Sequence, residues 1–316
     1  MRDRVPPAVH RCAGRRPVAV VLVAALVGCA PVGGPMGGAG PGHRSQRLAL
    51  SPAEEYHLGV QAFEEVTREA REKNALVTSG PAVQFVRTVG TRIADVATGD
   101  SQMSRLLRRE INLHIEGYRF EWEFVVIRSD QVNAFCLPGG KVAVFTGLLS
   151  LIDRDAPADR RADWLATVLG HEIGHALAHH SSERLAREQL TDRALHAATF
   201  GLGSKDITPE QRNGILKALA AGTRLSSLPF ERAQESEADH IGVFLMTFAG
   251  YDPHAAVQFW QAMAARGGPH VPQILSDHPS DARRIAQLRM WADQAAAAKR
   301  AYEAGNTADG PRRRGD

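Results

Sequence analysis

Apolar residues recur along the chain with two different periods. From Ser51 to about Val96 they follow helical spacing, and Ser51-Pro52-Ala53-Glu54 is typical of a helix start with proline in the first turn. Residues Glu121–Ile127 are β-branched and aromatic, as strands are. From Asp155 onward the pattern is helical again, with another start at Thr208–Gln211. The chain is therefore predicted to be mostly α with a small sheet.

Two further segments are predicted to join that sheet. Asn133–Phe135 and Val142–Phe145 are the candidates, and Pro138-Gly139-Gly140 between them is typical of a turn. Proline fixes one φ angle there, and glycine permits a positive one. We see no internal repeat. These patterns predict one domain of the α+β class, at residues 49–300.

The composition is globular, with 44% hydrophobic and 23% charged residues among 316. The formal charge of +3 is concentrated at the start, because residues 1–28 hold five arginines against one aspartate. The remainder is close to neutral and has no basic stripe interleaved with aromatic residues, which argues against nucleic acid as a partner. Residues 301–316 end in a basic run and are predicted to be a disordered tail.

Residues 1–28 have the features of an export signal. The apolar run Val18–Val27 is too short to cross a bilayer comfortably as a permanent helix. It leads into Leu26-Val27-Gly28-Cys29, which resembles the lipobox of bacterial lipoproteins. Cys29 is therefore predicted to carry lipid and anchor the protein to a membrane, and Gly/Pro-rich residues 29–48 to form a linker. An ordinary signal peptide with an incidental Cys29 is the alternative.

The residues around the cysteines add two expectations. Ala30 and Pro31 lack the acidic residue that often retains lipoproteins in the inner membrane, which favours the outer membrane, facing the periplasm. Cys12 would leave with the leader and Cys29 would carry lipid, so Cys136 has no partner for an internal disulfide.

The sequence His171-Glu172-Ile173-Gly174-His175 has the spacing of a metal site on a helix. At about 100° per residue, the two histidines project about 40° apart and one turn apart, so both can reach one ion. Glu172 projects beside them, where it can take a proton from water and pass it to the leaving amine. The pattern predicts one catalytic Zn²⁺ per subunit, with Glu172 as general base.

The helix that carries this motif is predicted to be buried. Residues 157–170 place apolar side chains on the histidine side and on the opposite side. Buried histidine and glutamate are costly unless something pairs them, and a metal ion does so. The alternative is that ordinary hydrogen bonds satisfy the histidines. His179 and His180 follow closely, but two ligands already fill that face, so neither is assigned to the metal.

A catalytic zinc needs a third protein ligand and an open position. Glu235 and Asp239 are four residues apart and share one face of a predicted helix, whereas Glu237 points almost to the opposite side. Glu235 is therefore the predicted ligand. Asp239 is expected to accept a hydrogen bond from the far nitrogen of a zinc-bound histidine. Glu237 is expected to be a solvated surface charge.

Several sequence blocks together resemble a known family. Val-Leu-Gly-His-Glu-Ile-Gly-His is followed by Leu-Pro-Phe-Glu-Arg-x-x-Glu-x-Glu-Ala-Asp-x-x-Gly. The other blocks are Asn133–Phe135, Pro138–Gly140, Thr146–Leu149, Ala249–Pro253, and Asp277–Pro279 with Arg284. The combination is similar to the CAAX-prenyl-protease-like family of gluzincin metallopeptidases, specifically its soluble periplasmic and lipoprotein branch. The resemblance covers roughly residues 50–290 and implies a zincin-like domain with the sheet beside the active-site helix.

The resemblance implies the zinc ligands and the general base that the spacing also predicts. It further implies that His278 approaches the metal from a loop, where it can hold the enzyme closed or, when displaced, help to stabilise the oxyanion. An exposed loop histidine before a proline is the alternative. Members of the family lay the substrate along an edge strand. The residues expected on that strand are Asn133, Val142, Ala143 and Val144.

The resemblance also bears on substrates. The long apolar spans of the integral-membrane branch are missing, which favours unfolded or misassembled envelope proteins over prenylated ones. The outer-membrane assembly machinery is a candidate partner. A chaperone or assembly factor whose zinc site is latched by His278 is the alternative function.

Residues 186–230 are expected to form a lid over the cleft. Glu231 stands where many relatives have serine.

Overall fold

A computed structural model describes residues 45–187, 232–266, 273–274, 278 and 282–308. The predicted α+β fold, mostly α, is confirmed. The helices are α1 Pro52–Glu72, α2 Pro81–Thr98, α3 Gln102–Glu110, α4 Thr146–Asp155, α5 Arg161–Leu177, α6 Arg232–Phe248, α7 His254–Ala264 and α8 Ala282–Ala308. The strands are β1 Leu76–Val77, β2 Glu123–Ile127, β3 Ala134–Leu137 and β4 Lys141–Phe145.

The four strands form one mixed sheet in the order β1-β2-β4-β3. β2 and β4 run parallel, with Val125 opposite Ala143, and β3 pairs antiparallel with β4. The turn between β3 and β4 contains the predicted glycines, Gly139 and Gly140, with φ angles of 77° and 85°. Both conformations favour glycine. This hairpin presents β3 at the edge of the described sheet.

The sheet order corrects one expectation from the sequence. Val142, Ala143 and Val144 were expected on an edge strand, but β4 is paired on both sides and every one of its residues is buried. The expectation is wrong because β2 pairs in parallel with β4 and occupies the position that a substrate strand would need. Asn133 directly precedes β3, which is one of the two edge strands of this sheet.

The first helix begins where the sequence predicts. Ser51 Oγ accepts from the backbone N–H of Glu54 at 3.3 Å, and the Glu54 carboxylate accepts from the Ser51 N–H at 2.8 Å. This reciprocal cap satisfies two backbone donors at the helix end. The helical pattern predicted as far as Val96 is interrupted after α1, because Asn74 takes a φ of 52° and the chain turns into β1.

Helices α5 and α6 pack closely because glycines meet at their crossing. A Cβ atom built on Gly242 would lie 2.7 Å from the Gly170 carbonyl carbon, and one built on Gly174 would lie 2.8 Å from the Ala238 carbonyl oxygen. Side chains at these positions would push the two backbones apart. The close approach allows residues on α5 and α6 to share one site.

The domain boundaries differ from those predicted at both ends. Gln46, in the predicted linker, is buried and donates to the Ala178 carbonyl at 2.8 Å. Residues 301–308, predicted as part of a disordered tail, belong to α8. Alanine-rich sequence continues the helix there, and Tyr302 contacts the ring of Phe248. None of the described helices combines the length and the apolar character that a membrane-spanning segment needs.

Several predicted features lie outside the described residues. They are the leader at 1–28 with Cys29, the linker up to residue 44, the lid beyond residue 187, the helix start at Thr208, Glu231, and residues 309–316.

Candidate metal centre

Four buried side chains converge between α5, α6 and His278. His171 Nε2 lies 3.0 Å from His175 Nε2, and 3.4 Å separates each of these nitrogens from a carboxylate oxygen of Glu235. His278 Nδ1 lies 3.1 Å from His171 Nε2 and 2.8 Å from Glu235 Oε1. The structure thus brings together the two histidines and the glutamate that the helix spacing singled out, with the histidine that the resemblance implied.

The donor set fits one zinc ion. Ligands held about 2.0–2.1 Å from a tetrahedral ion lie about 3.3–3.4 Å from one another. Five of the six pairs among these four side chains have donor atoms 2.8 to 3.4 Å apart, and all four donor atoms lie within 4.8 Å of one another. Two imidazole nitrogens face each other at 3.0 Å, an arrangement that needs a proton or a cation between them. The cluster could therefore bind a metal ion.

The charges around the cluster favour a cation. Burial opposes ionisation of Glu235, but His278 and His171 hold its pKa well below the usual range, so its carboxylate is negative at neutral pH. Burial also disfavours a charged His171, yet Glu235 and Asp239 raise its pKa. Burial lowers the pKa of His175 well below normal, which keeps this ring in the neutral form that binds metals. Carboxylates that draw a proton onto a buried imidazole also attract a divalent ion.

Asp239 lies where the sequence predicts, on the outer side of His171. Its Oδ1 is 2.8 Å from His171 Nδ1. The same carboxylate accepts two hydrogen bonds from Arg284, from Nε at 2.6 Å and from Nη2 at 2.8 Å. Arg284 also donates from Nη1 to the His278 carbonyl at 3.0 Å, and its guanidinium lies 3.6 Å over the Trp260 ring. Arg284 therefore couples α8 to one histidine of the cluster and to the backbone of another.

Glu172 lies beside the cluster, as the helix geometry predicts. Its Oε1 is 3.3 Å from His278 Nε2, and the residue is buried. Burial and, to a smaller extent, the Glu172 carboxylate raise the pKa of the Cys136 thiol. Cys136 belongs to β3, which packs against α5. The edge strand and the candidate general base are therefore neighbours.

Two residues near the cluster have contacts that the sequence did not indicate. Glu237, expected to be a solvated charge, is buried, and its Oε2 lies 3.0 Å from His180 Nε2. His180 Nδ1 in turn lies 2.8 Å from His175 Nδ1. The expectation for Glu237 is wrong because the chain that follows α5 covers that side of α6. The available signal was a second histidine pair close behind the metal motif.

The family is decided by comparison with known proteins. Residues 97–292, more than half of the chain, match the model of peptidase family M48. The chain belongs to peptidase family M48. M48 metallopeptidases use zinc, and the matched range contains all four residues of the cluster together with Glu172.

Several named metalloendopeptidases and proteases are similar to this M48 chain. It is 36% identical over 197 residues to mitochondrial metalloendopeptidase OMA1 of Arabidopsis thaliana, an alignment that covers 61% of this chain and 36% of that protein. OMA1 of Saccharomyces cerevisiae is 28% identical over 261 residues, with 80% and 68% covered. The beta-barrel assembly-enhancing protease of Escherichia coli K12 is 25% identical over 248 residues, with 78% and 45% covered. The chain thus spans between about a third and two thirds of the length of these relatives.

Proposed function

We propose that this M48 chain is a zinc-dependent endopeptidase. The observation that carries the proposal is the buried group of His171, His175 and Glu235, with the carboxylate of Glu172 at its side. Relatives named metalloendopeptidases support the same reaction class.

Each side chain has a distinct task in this reaction. Zinc, when bound, polarises the peptide carbonyl and acidifies a water molecule. Glu172 takes a proton from the attacking water and returns it to the leaving amine nitrogen. Asp239 accepts a hydrogen bond from the Nδ1–H of His171, which keeps the proton on Nδ1 and leaves Nε2 of that ring free to bind the ion. His278, when displaced from the cluster, donates to the oxyanion.

The substrate is proposed to add a strand to the sheet at β3. This strand is paired only with β4 in the described sheet, and it packs against the helix that carries Glu172. A peptide in extended conformation can pair with such an edge through its backbone, which gives affinity with little dependence on sequence. This mode suits an enzyme that acts on unfolded polypeptides.

The substrates are proposed to be unfolded or misassembled proteins of a bacterial envelope, with Cys29 as the lipid anchor in the outer membrane. The lipobox-like sequence and the name of the E. coli relative support this location, whereas the OMA1 relatives are named as mitochondrial. Labelling with a radioactive fatty acid tests the anchor. We expect label in the wild type and none in Cys29→Ser, and unlabelled wild-type protein would contradict it.

A second candidate function is a chaperone or assembly factor with a closed zinc site. The observation that favours it is the position of His278, whose Nδ1 lies within 3.1 Å of both His171 Nε2 and Glu235 Oε1. A histidine there occupies the place that substrate or water needs. The closed form would then bind unfolded envelope proteins without cutting them.

Cleavage of unfolded casein and of an unfolded outer-membrane barrel protein tests both candidates. We expect Glu172→Gln to lose at least about a hundredfold in rate while it still binds zinc, since the proton transfer is lost. Glu123→Gln, which changes an exposed glutamate on β2, serves as control and should cut normally. Equal rates for the wild type and Glu172→Gln would contradict the peptidase. A latch predicts faster cleavage by His278→Ala, and an equal or slower rate counts against it.

A further inference from the structure

The outer side of His175 carries two buried side chains that the proposed reaction does not use. His175 turns Nε2 to the cluster and Nδ1 outward, where it meets His180 Nδ1 at 2.8 Å. His180 Nε2 in turn meets Glu237 Oε2 at 3.0 Å. His180 has no exposed surface and Glu237 is 9% exposed. Removing an imidazole and a carboxylate from water is costly, so their placement behind a metal ligand requires a reason.

The end of α5 brings His180 back towards His175. The helix ends at Leu177, and His179 takes a φ of 54°, the left-handed conformation in which many helices end. A new helical segment starts at His180. The ring of His180 therefore lies 4.9 Å, between centroids, from a ring five residues earlier. A positive φ is uncommon for residues other than glycine, so this turn is a specific feature of the chain.

Binding of a cation would fix every proton along these three side chains. Nε2 of His175 must be unprotonated to bind a metal ion, so the ring carries its proton on Nδ1. That N–H donates a hydrogen bond to His180. Nδ1 of His180 is then the acceptor, which leaves its proton on Nε2. That N–H donates to the carboxylate of Glu237. Both rings are neutral, and the negative charge lies at the far end of the chain of hydrogen bonds.

We propose that His180 is a positioning residue for the metal ligand His175, and that Glu237 holds His180 in the tautomer that this task requires. The inference rests on the proposed zinc site. The two histidine ligands then differ in their hydrogen-bond partners. The carboxylate of Asp239 contacts His171 directly, whereas a neutral imidazole stands between Glu237 and His175. Hydrogen-bond partners of metal ligands typically contribute about 10- to 100-fold in metal affinity.

A purely structural tie between the end of α5 and α6 is the competing explanation. The neighbouring histidine provides an example of such a tie. His179 Nδ1 lies 3.1 Å from Glu55 Oε1 on α1, and its ring stacks on Tyr118. His179 is as buried as the metal ligands but lies outside the metal cluster. It is therefore a matched control for the loss of a buried histidine–glutamate pair.

Two amide side chains separate the explanations at position 180. In His180→Asn the amide oxygen falls near the place of Nδ1, where it still accepts from His175, but the side chain is too short to reach Glu237. In His180→Gln the amide nitrogen falls near the place of Nε2, where it still donates to Glu237, but no acceptor faces His175. His180→Asn therefore retains the contact with His175 that a positioning role needs. His180→Gln retains only the structural tie to Glu237.

The experiment measures the zinc affinity of the full chain by competition with a chromogenic chelator at one pH, with thermal unfolding of the metal-free forms alongside. We expect His180→Asn and the control His179→Asn to bind zinc nearly as tightly as the wild type. Asparagine tolerates the positive φ of position 179. His180→Gln should bind about tenfold or more weakly, without unfolding at a lower temperature than His180→Asn.

Three results would overturn the proposal: tight binding by His180→Gln, an equal loss in His180→Asn, or an equal loss in His179→Asn. Should His180→Gln fail to fold, Glu237→Gln replaces it. That change removes the charge that fixes the tautomer, so we expect weaker zinc binding, and unchanged affinity would contradict the role. A wild-type chain that binds no zinc would instead overturn the proposed function, which keeps the two failures distinct.

Discussion

Arg284 connects the carboxylate behind one metal ligand with the backbone of His278. Its two hydrogen bonds to Asp239 need the planar fork of a guanidinium, which a lysine lacks although it keeps the charge. We expect Arg284→Lys to loosen Asp239 and, through it, His171. Zinc affinity should fall about tenfold, measured by chelator competition.

The control for this change is Arg160→Lys. Arg160 pairs with Asp252, and neither residue belongs to the metal cluster. Zinc affinity in this variant should equal that of the wild type. A similar loss in both variants, or none in Arg284→Lys, would show that the fork on Asp239 does not support the metal centre.

The residues of the site differ in how far the sequence could predict them. His171, His175 and Glu235 follow from spacing on a helix, which is a local property. Glu237 lies outside the metal cluster. Its burial was not predictable, because a helical wheel does not show which segment covers the far side. That depends on the left-handed turn at His179.

The order of the strands in the sheet could not be predicted from the local sequence pattern either. The segment Val142–Phe145 was correctly predicted as a strand, but pairing across the sheet decides whether a strand lies at an edge. The sequence carried no signal for this, because β3, Ala134–Leu137, is as uniformly apolar as Val142–Phe145.

The crossing of α5 and α6 gives a prediction for these two helices. In Gly242→Ala the new methyl group would lie 2.7 Å from backbone atoms of Gly170 and His171, so the helices must move apart. We expect a loss of about 1–3 kcal/mol in the free energy of unfolding, measured with urea. Zinc binding should weaken as well, because Glu235 moves away from the two histidines on α5.

A glycine in open space provides the control. Gly305 lies in α8 with no atom within 4 Å of a built Cβ. Gly305→Ala should leave stability unchanged or raise it by up to about 1 kcal/mol, because alanine favours a helix. A Gly242→Ala variant that is as stable as the wild type and binds zinc equally well would show that neither stability nor the metal centre needs the close crossing of α5 and α6.

Stability of the whole molecule should depend on pH through His254, where α7 meets α8. His254 Nε2 lies 2.9 Å from Asp293 Oδ1, and Nδ1 lies 3.3 Å from Asp252 Oδ1. The hydrogen bond to Asp293 raises the pKa of His254, against burial and with the help of Asp252. A raised pKa means that the stabilisation is complete below about pH 6.5 and is lost as the pH rises through the folded value.

Urea unfolding of the wild type and His254→Gln at pH 5.5 and pH 8.5 measures this effect. The side chain is half-exposed, so we expect the wild type to lose only a few tenths of a kcal/mol relative to the variant across this range. An identical pH dependence in the two proteins would contradict a role for this ion pair in stability.

The fold class of the whole molecule could be predicted, because it follows from the alternation of helical and strand patterns. The boundaries could not, since Gln46 is held by contacts with a distant helix end and α8 continues through Gly305 and Asn306, residue types that usually end a helix. The metal site depends on this arrangement, because α5, α6 and His278 each supply part of the cluster.

The zinc content of the purified full chain is the most direct test of the central claim. Elemental analysis after gel filtration should find one zinc ion per chain in the wild type and far less in Glu235→Gln, which preserves shape but removes the charged ligand. A wild-type chain without stoichiometric zinc, or a Glu235→Gln variant that retains it fully, would contradict the metal centre.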